Sequence, residues 1–345
     1  MDATNIRGTV MRVWAEAVSQ RQGTAYFSSL PPLPSALLHP FSMFSFHSHS
    51  GQFCMHAKGT LEQVVGSAIA RGFTHYGLSE HMPRYQPDQL YPEEVCLRIQ
   101  GADQNQRALA NISVHCSFFF TLPSKSHLTV KDLEHMYDRF LIEADRLQKK
   151  YSPQICLLVG METEYFGPDS IKFVRRLRQE RQDSTLSSSS PSQLLPRVQY
   201  IVGSLHHVRG IPLDFSTELY LKALEIVGKG SWEELFKVYF DAQFEMLQGL
   251  QPEVIGHLDL VRIFFGSIPQ CGHHHHQQDK DHPSQPATSP SEASANVLTD
   301  ELWSLVRRNI DYVILYGGLF ELNSRAWKKG LADAYPQRDI LQVSR

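Results

Sequence analysis

Three histidines stand within ten residues of one another in Phe46-His47-Ser48-His49-Ser50-Gly51-Gln52-Phe53-Cys54-Met55-His56, the first two as an HxH pair. On a β-strand, side chains i and i+2 share a face. His47 and His49 can then offer two imidazoles to one metal ion, while Phe44 and Phe46 turn the other way into packing. The plain alternative is two polar residues on a solvated strand face, and the rest of the chain has to decide. Further ligand-type residues follow in separate segments, at His81, Glu162, His206 and His257. Each alone reads more simply as a residue satisfied by its neighbours. Together they form a set of imidazoles and a carboxylate that suits Zn, Fe or Mn. A site of nitrogen and oxygen ligands without thiolates is more often catalytic than structural. Cys54 lies inside the first motif, and packing is the simpler role for it.

The elements that must position these residues alternate. After the histidines, Thr60 and Gln63 have capping-box spacing, and Leu61, Val64, Val65, Ala68 and Ile69 make one apolar helical face. Gly72 offers a left-handed stop, and a strand from Thr74 to Ser79 ends in Glu80-His81. Thr129 and Asp132 open a long helix with a stripe through Leu133, Met136, Tyr137, Phe140, Leu141, Ala144 and Leu147. Ile155 to Val159 is a continuous apolar run, as expected of a strand covered on both faces, and it leads to Glu162 and Glu164. A short helix is expected at Ser170 to Arg178, a strand at Tyr200 to Gly203, a helix at Trp232 to Leu247 and a strand at Glu253 to Gly256. A helix near Val297 to Arg308 and a strand from Tyr312 to Leu315, continuing to Phe320, come next, with a last helix from Pro336. Six strand–helix units in this order predict a parallel sheet, closed as a barrel or doubly wound. The ligand-type residues fall at the C-terminal ends of the strands, where such folds carry their sites.

Composition narrows the classes. The 345 residues are 42% hydrophobic, enough for one large α/β domain or two smaller ones. A net charge of -3 gives no reason to expect a nucleic-acid partner. The five cysteines are widely spaced with no CxxC, which reads as reduced thiols. No apolar run reaches the ~18 residues of a membrane span and the N-terminus lacks a signal-peptide pattern, so a soluble cytoplasmic protein is expected. Residues 1–42 read as a disordered extension or a gene-model artefact before a domain at 43–345, with insertions near 99–127, 183–196 and 268–296. The last of these includes the run His273 to His276.

His47 to His56, Leu78-Ser79-Glu80-His81, Gly160-Met161-Glu162, Gly203-Ser204-Leu205-His206 and Gly256-His257-Leu258-Asp259 resemble the successive motifs of the PHP (polymerase and histidinol phosphatase) superfamily. Within it the chain is most similar to monofunctional histidinol-phosphatases of the fungal and Gram-positive type. The resemblance implies a distorted (β/α)7 barrel with three divalent metal ions, Zn, Fe or Mn, at its C-terminal face. It implies His47, His49 and Glu162 at the first ion, Glu162 bridging to a second held by His206 and His257, and His56 with His81 at the third. It also implies hydrolysis of L-histidinol phosphate, a small phosphate ester, to L-histidinol and phosphate in histidine biosynthesis, by in-line attack of activated water. Lys328, with Arg325 as a neighbour, stands where the family tends to have a phosphate-reaching arginine. Glu164 and His207 are candidates for substrate contact, and Glu80, Asp259 and again His207 for orienting ligating imidazoles.

The family pattern ends in an Asp-x-His segment after a seventh strand, and this sequence stops at Arg345 before it. The expectation is therefore a C-terminally truncated form that lacks the last strand. Three other readings stand beside the phosphatase. An amidohydrolase barrel also begins with HxH, but His56 and Glu162 point away from it. A PHP nuclease or phosphodiesterase would favour a basic groove, which the net charge does not suggest. A truncated, inactive form would be separated from the enzyme by its metal content. Oligomeric state is not encoded in any of these patterns.

Overall fold

The computed structural model describes residues 43–91, 94, 128–187, 198–265 and 298–343. The expected extension at 1–42 and the insertions at 99–127 and 268–296 lie outside the described residues, as does the part of the 183–196 insertion from 188 on. The strands in chain order are β1 (Met43–Ser45), β2 (Phe73–Leu78), β3 (Cys156–Glu162), β4 (Tyr200–Gly203), β5 (His207–Val208), β6 (Ile211–Pro212), β7 (Val254–Ile255) and β8 (Leu319–Phe320). β5 and β6 form a small antiparallel hairpin. The others make one sheet in the order β1-β2-β3-β4-β7-β8, every pair parallel.

That order decides between the two expected architectures. A doubly wound sheet reverses its strand order at a switch point; here each main strand lies beside the next in sequence, as in a barrel wall. The sheet is also curled. His47, just after β1, and Glu321, just after β8, come from opposite edges, yet their side chains meet at 3.1 Å. Tyr200 of β4 fills the inside of the curl and donates its hydroxyl to the Phe46 carbonyl at 2.7 Å. Two glycines make room for it. A Cβ on Gly77 would fall 2.0 Å from the Tyr200 hydroxyl oxygen, and one on Gly160 would fall 2.3 Å from its ring. The backbone that leads into His47 is thus held by a phenol that only glycines on β2 and β3 admit.

Helices cover the outside. α1 (Leu61–Ala70) carries the expected Thr60/Gln63 capping box, and Gly72 takes the left-handed conformation at φ 77°. α2 (Val130–Tyr151) carries the Thr129/Asp132 box and buries Leu133, Tyr137, Phe140, Leu141, Ala144 and Leu147. Each large apolar side chain taken fully from water on this stripe contributes about 1.5–3 kcal/mol. These two helices and α3 (Pro168–Ser187) pack one hydrophobic cluster against β2, β3 and β4. α4 (Thr217–Ile226), α5 (Trp232–Leu250) and α6 (Asp300–Tyr316) build a second one against β7. Short helices α7 (Arg325–Lys328) and α8 (Arg338–Val343) follow β8. Among the described residues no helix is long and apolar enough to cross a membrane.

Four expectations need correction. Tyr312 to Leu315 is helical, not a strand: Val306, Ile310 and Val313 continue the buried helical stripe of α6 until Gly317 ends it at φ 71°. Its β-branched run matched a strand only locally. α3 runs on past Arg178 to Ser187, into the stretch expected to be an insertion. α4, capped by Ser216, was not expected at all. β1 ends at Ser45, so the HxH pair lies just beyond the strand, not on it.

Candidate metal centre

The C-terminal ends of β1, β2, β3, β4, β7 and β8 each deliver a polar side chain to one place. Glu162, from the last residue of β3, is at its middle and 1% exposed. His47 Nε2 lies 3.0 Å from its Oε1, and His49 Nε2 lies 3.0 Å from its Oε2. His81 Nδ1 is 3.0 Å from Oε2, His257 Nε2 3.3 Å from Oε1, and His206 Nε2 3.4 Å from Oε1. His47 and His49 bring their Nε2 atoms within 3.1 Å of each other. The i, i+2 spacing thus does converge two imidazoles, although the pair stands past the strand.

Further carboxylates hold the outer faces of three of these rings. Glu321 meets His47 Nδ1 at 3.1 Å, Glu80 meets His49 Nδ1 at 3.2 Å and Glu164 meets His206 Nδ1 at 3.1 Å. Glu80 is itself fixed, accepting from the Ser50 backbone N–H and hydroxyl, both at 2.8 Å. Such carboxylate–imidazole pairs fix the ring tautomer and leave the inner nitrogen free as a lone-pair donor. Burial pushes the Glu162 carboxyl up, but His47, His81 and His206 outweigh it and hold it well below the usual range. Burial likewise lowers His47 and His81, yet Glu162 and its neighbouring carboxylates raise both well above 6.5.

The donor set fits a metal ion. Ligand atoms bound tetrahedrally at about 2.0–2.2 Å stand roughly 3.4 Å apart, close to the separations here. Glu162 Oε2, His81 Nδ1 and His257 Nδ1 are buried without a well-formed hydrogen bond. Among the described residues four groups could hold an ion: His47/His49/Glu162, Glu162/His206/His257, His81/Glu162/Glu164 and His49/Cys54/His81. The first two coincide with the ligand sets expected from the sequence. His56 stands at the rim, exposed, with its Nε2 3.4 Å from His81 Nε2.

Several candidates have other surroundings than expected. Glu164, a candidate for substrate contact, is fully buried; it accepts from the Tyr91 hydroxyl at 2.7 Å and faces His81 and His206. It stands two residues after Glu162, just past the end of β3, and belongs to the buried cluster itself. His207 is buried too, its ring between Phe166 at 4.5 Å and Tyr91 at 5.7 Å. Burial lowers its pKa to about 4. Asp259 pairs with Arg262 and accepts from the Gln337 N–H at 3.0 Å, tying this loop to the segment before α8 instead of orienting an imidazole. Arg325 and Lys328 lie exposed on α7. The neighbouring Lys329 instead reaches Asp214 at 3.3 Å. Burial pushes Asp214 up, but His206, Lys329 and His257 bring it below its ordinary value.

Glu321, Tyr91 and Asp214 were not singled out from the sequence. Glu321 had a usable signal, since it follows a strand as Glu162 does; the other two stand in irregular segments whose approach to the cluster depends on long-range packing.

The PHP domain family model matches residues 45–325. The chain is 36% identical over 300 residues to a "Probable histidinol-phosphatase" of Schizosaccharomyces pombe, covering 87% of this chain and 75% of that protein. It is 28% identical over 307 residues to the "Histidinol-phosphatase" of Saccharomyces cerevisiae, covering 87% and 78%. The crystal structure of hisK from Listeria monocytogenes shares the fold with a TM-score of 0.54 at 19% identity, over 88% of this chain and 90% of that one.

Proposed function

The chain belongs to the PHP domain family, and we propose that it is a metal-dependent phosphomonoesterase that converts L-histidinol phosphate to L-histidinol and inorganic phosphate. The substrate is the one named in its two fungal relatives. The observation that carries the reading is the convergence of five imidazoles on one buried carboxylate, Glu162.

His47, His49 and Glu162 are assigned to one divalent ion, and Glu162, His206 and His257 to a second. His81 with His56 is assigned to a third. Zn, Fe and Mn all suit such donors. When bound, such ions supply Lewis acidity, which neutralises phosphoryl charge and makes water nucleophilic near neutral pH. The protein's own groups do the positioning. Glu321, Glu80 and Glu164 keep the inner nitrogens of His47, His49 and His206 aimed at the centre. Glu162 stays ionised despite its burial, so it contributes a full negative charge among the imidazoles. Lys329 and Asp214, paired at 3.3 Å, are assigned to the phosphate and to the substrate's ammonium group respectively, with Arg325 and Lys328 near in sequence. Lysine acts there as a point charge, without the bidentate fork of arginine.

The test is phosphate release from L-histidinol phosphate beside release from glycerol phosphate, which lacks both amine and imidazole. The reading expects clear preference for the former, loss of activity on chelation and its return with Zn, Fe or Mn. Equal rates on both esters would remove the substrate assignment, and activity that survives full chelation would remove the metal assignment.

A further inference from the structure

The sequence leaves Cys54 as a packing residue, but the structure surrounds it with imidazoles. It is 7% exposed. Its Sγ lies 3.1 Å from His56 Nε2, and His56 Nε2 lies 3.4 Å from His81 Nε2. Sγ and one ring nitrogen each from His49 and His81 fall within 4.8 Å of one another. A tetrahedral zinc with bonds of about 2.3 Å to sulfur and 2.0–2.1 Å to nitrogen keeps its ligands roughly 3.4–3.6 Å apart. The observed separations are near those edges. A cavity of about 30 Å³ borders Cys54, His56, Glu80 and His81, and about 10–15 Å³ on this measure already admits a water-sized occupant.

We propose that Cys54 is a thiolate ligand of the ion assigned to His56 and His81, so that this end of the centre is a mixed nitrogen–sulfur site. The inference rests on the metal-centre reading above and deepens it. The other two ligand sets contain only nitrogen and oxygen donors. A thiolate at the third makes it the softest position, which favours zinc there over manganese. The thiol proton passes to solvent as the sulfur–metal bond forms.

X-ray absorption at the zinc edge tests this on the full chain loaded with zinc, without reference to activity. The expected result is a sulfur shell at about 2.3 Å in the wild type and in Cys156→Ser and Cys271→Ser. The last variant controls for a site beside the His273–His276 run. The shell should vanish in Cys54→Ser and Cys54→Ala. Zinc bound through nitrogen and oxygen alone in the wild type overturns the inference and leaves the metal-centre reading standing. So does a sulfur shell that survives in a folded Cys54→Ser chain. A wild-type chain that takes up no zinc overturns both.

Discussion

Replacing His207 with phenylalanine should change how the stability of the metal-free protein depends on pH. His207 is 4% exposed, with its ring between Phe166 and Tyr91. Burial is the main cause of its lowered pKa of about 4; Glu164, 3.9 Å away, pulls in the opposite direction and does not prevail. In the unfolded chain the same group titrates near its ordinary value of about 6.5. The unfolded state therefore binds a proton between these two values while the folded state does not. Stability from the neutral ring is fully present above about pH 6.5 and is lost as pH falls toward 4. The separation corresponds to about 3 kcal/mol. Phenylalanine preserves the aromatic stack and has nothing to titrate. Urea unfolding of chelator-treated wild type and His207→Phe, at steps from about pH 7 to 4, reads the difference in slope. Any fixed cost of the substitution cancels from that difference. The wild type should lose about 3 kcal/mol more than the variant over this range. Parallel curves would mean that His207 titrates alike in the folded and unfolded chains, and the burial argument would fail.

Three further outcomes follow from the same geometry. Glu80→Ala removes the carboxylate that holds His49 Nδ1 and should weaken zinc affinity about 10–100-fold, measured by competition with a chromophoric chelator. Gly160→Ala places a methyl against the Tyr200 ring and should cost about 3 kcal/mol by overpacking; because Tyr200 holds the Phe46 carbonyl, metal uptake at His47 should fall with it, whereas unchanged stability would show that the ring moves aside freely. Zinc uptake should release protons even above pH ~6.5, since the carboxylates overcome burial and raise His47 and His81 above that value. Affinity should accordingly decline as pH falls, and calorimetry in buffers of different ionisation enthalpy counts the protons.

Much of the site was legible because its residues obey local rules. The capping boxes at Thr60 and Thr129 and the buried stripe of α2 followed from spacing alone. The strand-end positions of His81, Glu162, His206 and His257 followed from the alternation of elements. What escaped depends on partners far away in sequence. Glu321 pairs with His47 across the two sheet edges, and only the curl of the sheet brings them together. Glu164 and His207 look from sequence like cleft residues, yet the packing of Tyr91 over both encloses them. The stretch Tyr312 to Leu315 has strand-like residues, but one buried helical face overrides that preference. Cys54 and His81 come from two different loops, so their approach is likewise not readable from spacing.

Glu162 carries the central claim, because every proposed ion but the outermost depends on it. The most direct measurement is phosphate release from L-histidinol phosphate by wild type and Glu162→Gln in parallel, with bound metal counted on both samples. The substitution keeps the shape and removes the charge. The account predicts metal bound and phosphate released by the wild type, with metal content reduced and the rate lower by roughly a hundredfold or more in Glu162→Gln. A folded variant that keeps the wild-type metal content and rate would contradict it.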